Sequence, residues 1–326
     1  MIINLQINRK MAITKETLIK AINRLIHQQV NDKEKIMLKG KIIKALAGFY
    51  YVKSGGNIYQ CRARGKFRNI SFKPLVGDEV SFQIENETEG YILDIDERRN
   101  EFIRPAICNI DQAIIVVSAK EPDFSTLLLD KFLMLVEQKN IKPVICVTKI
   151  DLVKDDDPIF KEINQYQQAG YEIHILSSTK KVGLETLKEI FTNKESVITG
   201  QSGVGKSTLL NALNIHLNLQ TSHISKALGR GRHTTRHVEL VEVLGGLVAD
   251  TPGFSSLELE FSAIEAANAY HDFKEYSQHC KFRGCLHDSE PNCEVKKAVQ
   301  EGKITKQRYE HYLTFLNEIK NRKEKY

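Results

Sequence analysis

The sequence predicts a multidomain α/β protein, because its pattern changes twice along the 326 residues. Short alternating runs rich in Val, Ile, Tyr and Phe come first, and apolar runs interleaved with helical stretches follow. The last part is helical and carries a cluster of Cys and His. This order is typical of a small β-barrel, a mostly parallel sheet between helices, and a helical domain that holds a metal. We expect the domains to span 1–35, 36–100, 101–261 and 262–326.

Composition and charge limit the classes of protein to which the chain can belong. Hydrophobic residues make up 41% and charged residues 27%, as in ordinary globular proteins. No apolar run approaches the roughly 18 residues that a membrane span needs, and the first residues lack the pattern of a secretion signal. We therefore expect a cytoplasmic monomer without a membrane partner. The net charge of +6 permits a polyanionic partner such as RNA but does not require one.

Residues 1–35 are predicted to form an N-terminal helical extension. Their apolar side chains recur at helical spacing over residues 18–26, on an otherwise polar segment. Met11 is an alternative start of the chain.

Residues 36–100 contain several short strands separated by Gly, Asn and acidic turn residues, and their length fits an OB-type barrel of five strands. One stretch, "QCRARGKFRNISFK", interleaves cations with Phe. On a barrel it can contact phosphates and stack bases, or it can be an ordinary solvated edge strand. The candidate RNA-binding residues are Arg62, Arg64, Lys66 and Arg68.

The stretch "GQSGVGKS" matches the phosphate-loop pattern G-x-x-x-x-G-K-[ST], between the β-rich "SVIT" and the helix-forming "TLLNAL". Backbone N–H groups of such a loop bind phosphate oxygens. Lys206 would neutralise the β- and γ-phosphates, and the Ser207 hydroxyl would ligate Mg²⁺. The predicted phosphate-binding residues are Gly200, Gln201, Ser202, Gly203, Val204, Gly205, Lys206, Ser207 and Thr208.

Two further segments complete the predicted magnesium and γ-phosphate site. "VADTPGF" places D-x-x-G after an apolar strand, so Asp250 would hold Mg²⁺ through water and the Gly253 N–H would contact the γ-phosphate. "GRGRHTTRHVEL" occupies the interval in which phosphate-loop GTPases carry a switch segment. Thr234 and Thr235 are both candidates for reaching Mg²⁺, and a solvated basic loop is the alternative.

The stretch "PVICVTKID" predicts a base-binding site. Asp151, after a buried strand, can accept hydrogen bonds from N1–H and the exocyclic amine of guanine, whereas adenine does not offer this pair of donors. Lys149 would lie along the base, and "LSS" at the end of the next strand would offer backbone N–H groups. An ordinary strand-to-loop exit is the alternative. The predicted base-binding residues are Thr148, Lys149, Ile150, Asp151, Ser177 and Ser178.

The order of these motifs is base, phosphate, switch and magnesium, whereas ordinary GTPases begin with the phosphate loop. Joining the old termini and cutting elsewhere gives this order and leaves the sheet unchanged, because domain termini often lie close together. The sequence therefore predicts a circularly permuted P-loop GTPase domain.

The C-terminal cluster has the spacing C-x4-C-x-H-x5-C. Its three thiols and one imidazole, Cys280, Cys285, His287 and Cys293, suit a tetrahedral structural Zn²⁺. His279 is a possible substitute for His287, and a group of unpaired surface thiols is the alternative to a metal site.

Taken together, "TKID", "SS", "GQSGVGKST", "GRHTTRHVEL", "DTPGF" and "CKFRGCLHDSEPNC" resemble the RsgA/YjeQ (YloQ) family of circularly permuted GTPases. The resemblance covers about residues 36–320. It implies an OB-fold, a GTPase domain and a zinc-binding helical domain. It also implies that the protein matures the small ribosomal subunit, binds its rRNA, and hydrolyses GTP to GDP faster when bound to it.

The resemblance also implies a catalytic residue. Ras-like enzymes have a Gln that orients the attacking water after D-x-x-G, whereas this chain has Phe254 there. In the family that this chain resembles, catalysis is attributed to a histidine of the switch segment, and His233 matches that position. His237 is a nearby competitor without the motif match. Thr148 departs from the family pattern, which has Asn at that position. The rival functions are an ATPase or small-molecule kinase, and a non-enzymatic rRNA-binding module.

Overall fold

The structure is a computed structural model that describes residues 37–64, 73–103, 105–216, 238–250 and 257–322. In these ranges a closed barrel comes first, a six-stranded sheet with helices follows, and a helical unit comes last. The predicted multidomain α/β class is confirmed. The predicted extension at 1–35 lies outside the described residues.

The barrel has five strands that close in the order β1-β2-β3-β5-β4. Only the β3–β5 pair is parallel, as in the five-stranded Greek-key barrel of the OB-fold. Inward side chains alternate along the strands, so that Val52, Phe82 and Ile92 are completely buried. The strands are β1 (Met37–Leu46), β2 (Phe49–Ser54), β3 (Asn57–Ala63), β4 (Glu79–Ile84) and β5 (Glu89–Ile95).

A short antiparallel hairpin, β6 (Glu101–Phe102) and β7 (Ile107–Cys108), links the barrel to the sheet. The sheet strands are β8 (Gln112–Ser118), β9 (Lys142–Thr148), β10 (Glu172–Ile175), β11 (Glu195–Thr199), β12 (Leu240–Val243) and β13 (Gly246–Asp250). Their order is β10-β9-β8-β11-β13-β12, and all neighbours are parallel except β12 and β13. All seven residues of β8 are buried, which is expected of a strand with neighbours on both sides and helices on both faces.

Among the described residues, four helices accompany the sheet: α1 (Thr126–Glu137), α2 (Ile159–Gln168), α3 (Leu187–Phe191) and α4 (Lys206–His216). A 3-10 turn, Ile150–Leu152, follows β9. Ser125 caps α1 by accepting a hydrogen bond from the Leu128 N–H. The apolar face of α1 includes Leu129 and Leu133, both completely buried.

The C-terminal unit consists of α5 (Ala263–Ala267), α6 (His271–Ser277), α7 (Glu294–Gln300) and α8 (Lys306–Lys320). A reciprocal capping box between Ser262 and Glu265 begins α5. The run "AIEAANAYHDFKEY" forms two helices, because the helical pattern stops at Asn268 and restarts at His271. Helix α8 buries Tyr312, Phe315, Leu316 and Ile319 and packs against α1 and α5.

The path of the chain through the sheet explains the motif order. The chain enters at β8, moves outward through β9 and β10, and returns past β8 to form β11 on its other side. A cut between β10 and β11, with the end of β13 joined to β8, would place the phosphate loop first. The sheet keeps the same neighbours in either chain order, as a circular permutation requires.

Candidate nucleotide-binding site

The predicted nucleotide-binding motifs follow the carboxyl ends of four parallel strands. "TKID" begins at the end of β9, "SS" follows β10, the phosphate loop follows β11, and Asp250 ends β13. The register pairs Ser118 with Thr148 and Ile198 with Asp250, so these ends lie at one edge of the sheet. Ligands of open α/β sheets bind at this edge.

The phosphate loop has the backbone conformation that its glycines permit. Gly200 has φ 142°, and a Cβ added there would lie 2.1 Å from the Val116 carbonyl oxygen, inside the neighbouring strand. Val204 is buried and anchors the loop to the core. The Lys206 ammonium folds over the loop and donates to the carbonyls of Gly200 and Gln201 at 2.7 and 2.8 Å. A cation and a glycine turn at a helix N-terminus together form an anion-binding concavity.

The base-binding residues predicted from two separate strands meet in the structure. The Ser177 hydroxyl, completely buried, donates to the Asp151 carboxylate and accepts a hydrogen bond of 3.0 Å from the Lys180 N–H. The Ile150 N–H donates to the Leu176 carbonyl at 3.3 Å. Ser177 thus restricts the orientation of Asp151, because a carboxylate held through one oxygen presents the other in a fixed direction.

Thr148 connects the base-binding strand to the phosphate loop. Its hydroxyl is buried and lies 2.5 Å from the Val204 carbonyl and 3.1 Å from the Val117 carbonyl, with one proton to donate between them. The distance between the two halves of the site is therefore set by a direct contact. Thr at this position makes that contact with a hydroxyl, so the departure from Asn leaves the two halves joined.

One segment of the site was missed in the sequence. Residues 119–123 follow β8 and contain no recognised motif. The Glu121 carbonyl accepts a hydrogen bond from the Lys149 ammonium, and Pro122 Cδ would lie 3.7 Å from a Cβ added at Gly203. The segment therefore binds Lys149 of the base-binding motif and lies beside Gly203 of the phosphate loop. A Pro after a strand end was the only signal in the sequence, and it marks a turn rather than a binding role.

Several predicted site residues lie outside the described residues; they are His233, Thr234, Thr235, Gly253, Lys66 and Arg68. Asp250 is described through its backbone, which ends β13 beside the phosphate-loop strand. Ser207, the predicted Mg²⁺ ligand, is exposed in the first turn of α4.

The predicted metal ligands of the C-terminal unit converge. The sulfurs of Cys280 and Cys293 lie 3.9 Å apart, and His287 Nδ1 lies 3.7 Å from the first and 3.3 Å from the second. All four ligand atoms, including the Cys285 sulfur, lie within 4.8 Å of one another. Metal–sulfur bonds of about 2.3 Å at a tetrahedral angle separate two sulfurs by about 3.8 Å. The cluster can therefore hold a metal ion, and it includes His287 rather than the exposed His279.

Neighbouring groups hold the cluster in this shape. The Glu290 carboxylate accepts hydrogen bonds from the N–H groups of Leu286 and Asp288, and the hydroxyls of Tyr309 and Tyr312 donate to carbonyls of the same loop. Burial lowers the pKa of His287, which favours the neutral imidazole that a metal needs. Burial raises the pKa of the Cys285 thiol to about 12, so its proton leaves at neutral pH only when a metal ion replaces it.

The two described candidates for RNA binding, Arg62 and Arg64, lie on the outer surface of the barrel. Arg62 is exposed, and its guanidinium lies 4.8 Å from the centre of the Phe49 ring. Its partner across the strands is Tyr91 on β5. Arg64 donates to the Gln83 side chain at 3.1 Å. Cations and aromatic rings thus alternate across β2, β3 and β5.

A separate cavity of about 720 Å³ lies at the opposite edge of the sheet. It is lined by residues at the starts of β9 and β10, such as Lys142 and Glu172, and by His271 of α6. None of the predicted site residues lines it.

Comparisons with known proteins agree with this arrangement. Residues 95–260 match the family model described as RsgA GTPase, and residues 39–92 match the model described as RsgA N-terminal domain. The chain is 56% identical over 293 residues to the "Small ribosomal subunit biogenesis GTPase RsgA" of Geobacillus sp. (strain WCH70), an alignment that covers 89% of this chain and 100% of that protein. The protein of the same name from Bacillus subtilis (strain 168) is 52% identical over 298 residues, with the same coverage.

Two solved structures match the whole fold. The crystal structure of YloQ, described as a circularly permuted GTPase, has a TM-score of 0.76 and 48% sequence identity over 90% of this chain and 99% of that one. The crystal structure of YjeQ from Thermotoga maritima has a TM-score of 0.77 and 33% identity, covering 88% of this chain and 100% of that one. The expected circular permutation is therefore shared with a solved relative.

Proposed function

The chain belongs to the RsgA GTPase family, and we propose that it hydrolyses GTP while bound to the small ribosomal subunit during the late assembly of that subunit. Its relatives carry the name of a small ribosomal subunit biogenesis GTPase. We infer further that the protein acts as a monomer in the cytoplasm. No helix among the described residues is long and apolar enough to cross a bilayer.

One observation carries the proposal for the nucleotide. The base-binding strand and the phosphate loop meet through the hydrogen bond from Thr148 to the Val204 carbonyl. The carboxylate proposed to accept hydrogen bonds from guanine and the loop proposed to bind phosphates are thereby held at a fixed separation. Binding of one nucleoside triphosphate requires such a separation. We assign guanine recognition to Asp151, because the mispaired carboxylate left by adenine would cost binding energy.

The chemistry of the triphosphate is assigned to side chains around the loop. Lys206 would exchange its present carbonyl partners for β- and γ-phosphate oxygens, and the loop N–H groups would bind the rest. The Ser207 hydroxyl and the Asp250 carboxylate are oxygen donors of the kind that Mg²⁺ prefers, and the bound ion would neutralise the charge that develops on the phosphates. Thr234 or Thr235 would complete that site, and His233 would orient the attacking water.

The C-terminal metal is proposed to be one Zn²⁺ with a structural role. Three thiols and an imidazole are the donors typical of structural zinc. The four protein ligands leave no open position for substrate. We expect the ion to hold together a loop that contains little regular secondary structure.

The barrel is proposed to contact rRNA of the small subunit. Arg62 and Arg64 offer cations beside aromatic rings, an arrangement that suits backbone phosphates and stacked bases. Lys66 and Arg68 continue the same basic stretch in the sequence. Slow intrinsic turnover is expected, because phosphoryl transfer depends on positioning that the subunit can supply.

The central experiment measures GTP hydrolysis with and without purified small ribosomal subunits. Stimulation of at least tenfold by the subunits, abolished by Lys206→Ala, is the expected result. Equal rates with and without subunits would remove the ribosomal part of the proposal while leaving a GTPase. A chain that hydrolyses ATP at the rate of GTP would favour the ATPase alternative.

A second experiment tests the role of Asp151 through its chemistry. Asp151→Asn replaces one acceptor by an amide donor, which matches xanthine, because xanthine has a carbonyl where guanine has an amine. We expect affinity for GTP to fall at least tenfold and affinity for xanthosine triphosphate to rise. Asp155→Asn, in the nearby loop, is the matched control. Unchanged preference in the Asp151 variant would show that the carboxylate does not read the base.

A further inference from the structure

The segment between β8 and α1 contacts the lysine that would lie along the guanine base. Residues 118–122 form a closed turn, which we call the β8 turn. The Ser118 hydroxyl is buried at the end of β8 and donates to the Pro122 carbonyl at 2.6 Å. The Glu121 carbonyl of the same turn accepts a hydrogen bond from the Lys149 ammonium. Ser118 is therefore connected through the turn to the end of the Lys149 side chain.

The two residues joined by that hydrogen bond share an unusual backbone conformation. Glu121 and Lys149 each have a φ of 57°, in the left-handed region that residues with a Cβ seldom occupy. Such conformations persist where the surrounding contacts impose them. The hydrogen bond from Ser118 closes the turn around Glu121 and is a contact of this kind. We infer that Ser118 fixes the direction in which the Glu121 carbonyl points.

The β8 turn lies between the two halves of the nucleotide site. Ser118 is the register partner of Thr148, so the turn begins beside the residue that precedes Lys149. On its other side, Pro122 Cδ would lie 3.7 Å from a Cβ added at Gly203 of the phosphate loop. The contact with Lys149 is a hydrogen bond, whereas the approach to Gly203 is at van der Waals distance even for an added atom. The turn is thus linked more strongly to the base-binding half.

We propose that Ser118 is a positioning residue for Lys149 and that it slows the release of guanine nucleotides. With its ammonium bound to the β8 turn, Lys149 would keep its aliphatic part against the face of the base. A free lysine side chain loses rotamer freedom when it packs on a ligand, and this loss lowers the affinity. Ser118 itself would not contact the nucleotide. The inference rests on the proposed function, because it takes Lys149 to lie along guanine.

The first test measures how fast the full chain, without ribosomal subunits, releases GDP that carries a fluorescent label on the ribose. Loss of one hydrogen bond corresponds to a change of about two- to tenfold, and we expect Ser118→Ala to release the labelled GDP faster by this factor. The KM for GTP should rise by a similar factor while kcat stays unchanged, because the turn acts on binding and not on the reacting phosphate. Equal release rates for wild type and Ser118→Ala would overturn the proposal.

Ser196→Ala is the matched control. Ser196 is completely buried on β11, and its hydroxyl accepts a hydrogen bond of 3.0 Å from the Gln112 amide near the opposite edge of the sheet. This variant should lose a similar free energy of unfolding in urea and still release GDP at the wild-type rate. Faster release from Ser196→Ala as well would attribute the effect to a weakened sheet and would overturn the proposal.

The second test asks whether Ser118 acts through Lys149. Lys149→Met keeps an apolar side chain but lacks the ammonium that binds the β8 turn, so this variant should also release GDP faster. In the double variant, Ser118→Ala should add a factor of under about two to the release rate of Lys149→Met. The full factor in both backgrounds would overturn the proposal. An unchanged rate for Lys149→Met alone would do so too, even if Ser118→Ala were too unstable to measure.

The third test separates the base from the phosphates. Inorganic triphosphate would occupy the phosphate loop but has no base for Lys149 to contact, and its affinity is measured by displacement of the labelled GDP. Ser118→Ala should leave this affinity unchanged, whereas Lys206→Ala should weaken it. Equal losses of affinity for triphosphate and GTP would place the action of Ser118 at the phosphate loop and overturn the proposal. A wild-type chain that does not bind GDP would defeat the proposed function, and this inference with it.

Discussion

Among the described residues, ion pairs of three lysines join the barrel to the GTPase domain, whereas a buried arginine is central to the contact between that domain and the C-terminal unit. The lysines lie on β1 and β2 and face glutamates on β11 and at β12. The pairs are Lys41–Glu195, Lys44–Glu239 and Lys53–Glu242. Two of the pairs are substantially exposed, and the backbones of Lys44 and Glu239 form an isolated antiparallel bridge.

The ion pairs between the GTPase domain and the C-terminal unit are buried. The Arg308 side chain of α8 is 5% exposed and bonds at 2.7 Å to Asp130 of α1, which is 1% exposed. A second carboxylate, Asp272, lies 2.9 Å from the guanidinium. The rings of Tyr270 and Tyr171 lie 4.2 and 4.9 Å from its centre. Burial disfavours the charge on Arg308, but the neighbouring carboxylates and tyrosines outweigh it and raise its pKa well above the ordinary value.

The two contacts differ in how easily they can rearrange. Exposed ion pairs each contribute about 0–1 kcal/mol and weaken in salt, so the barrel contact can rearrange at low cost. Breaking a buried pair costs about 3–5 kcal/mol, so the C-terminal unit and the GTPase domain behave as one body. Glu239 lies near the end of the predicted switch segment, and Glu242 follows that segment by two residues. The weaker contact is therefore next to the element expected to respond to GTP.

The largest expected effect comes from Arg308→Met, which removes the guanidinium from the carboxylates of Asp130 and Asp272. We expect a loss of about 3–5 kcal/mol in the free energy of unfolding. Urea unfolding followed by tyrosine fluorescence suits a chain that has 11 Tyr and no Trp. Lys306→Met, an exposed position on the same helix, is the control and should cost under about 0.5 kcal/mol. Similar losses for the two variants would show that the buried ion pairs of Arg308 do not stabilise the contact with the C-terminal unit.

On the barrel side, Lys41→Met should have an intermediate effect. Lys41 is 15% exposed and contacts both Glu79 and Glu195, so its removal leaves a partly buried carboxylate and is expected to cost about 1–2 kcal/mol. Lys53→Met removes a pair that is 36% and 66% exposed and should cost under about 0.5 kcal/mol. The same urea titration measures both, and a reversed ranking would contradict the burial argument.

High salt should weaken the contact between the barrel and the GTPase domain and leave the Arg308 contact unchanged. Between 0.1 and 1 M KCl, screening shortens the Debye length from about 10 to about 3 Å. Hydrogen exchange of the β12 amides is expected to accelerate several-fold, because the strand loses its link to the barrel. Exchange in the middle of α8 should stay unchanged. Equal acceleration in both elements would indicate that the buried network is also accessible to ions.

The smallest effect concerns pH at the rim of the arginine contact. His271 Nδ1 lies 2.5 Å from a Glu137 carboxylate oxygen and Nε2 lies 2.7 Å from the Ala169 carbonyl, so both ring nitrogens face acceptors. The hydrogen bond to Glu137 raises the pKa of His271 in the folded chain. Its stabilisation is therefore complete below the unfolded pKa near 6.5 and is lost as pH rises through the higher folded value.

The measurement is the difference in Tm between wild type and His271→Gln across this pH range. The difference should be larger at pH 6 than at pH 8.5. A difference that grows with pH would mean that the imidazole is neutral in the fold.

The nucleotide and metal motifs were readable because their chemistry is local in sequence. The phosphate loop, "TKID" and the Cys/His spacing each lie within 14 or fewer consecutive residues. The order of the domains and the α/β class followed from the changing pattern of strands and helices along the chain. The permutation was inferred because each motif of a GTPase occurs once, but in an order that differs from that of ordinary GTPases.

The contacts between domains were not readable from the sequence. Arg308 and Asp130 are separated by 178 positions, and Lys41 and Glu195 by 154. In the sequence Arg308 looks like one more cation of a polar helix, and only the packing of α8 on α1 gives it a buried partner. The role of Ser177 was similarly incomplete, because its hydrogen bond to Asp151 depends on how β9 and β10 pair.

The central position of β8 also has a consequence for synthesis. β8 is completed early, but its neighbour on one side, β11, is made only after two further strands and three helices. At ~5–20 residues per second, the intervening segment takes on the order of ten seconds to emerge. During that time one edge of a strand whose five central residues are all apolar has no partner, which is the condition under which strands recruit foreign chains. Early docking of the finished barrel, or a chaperone at that edge, would matter most for this domain while it is still being translated.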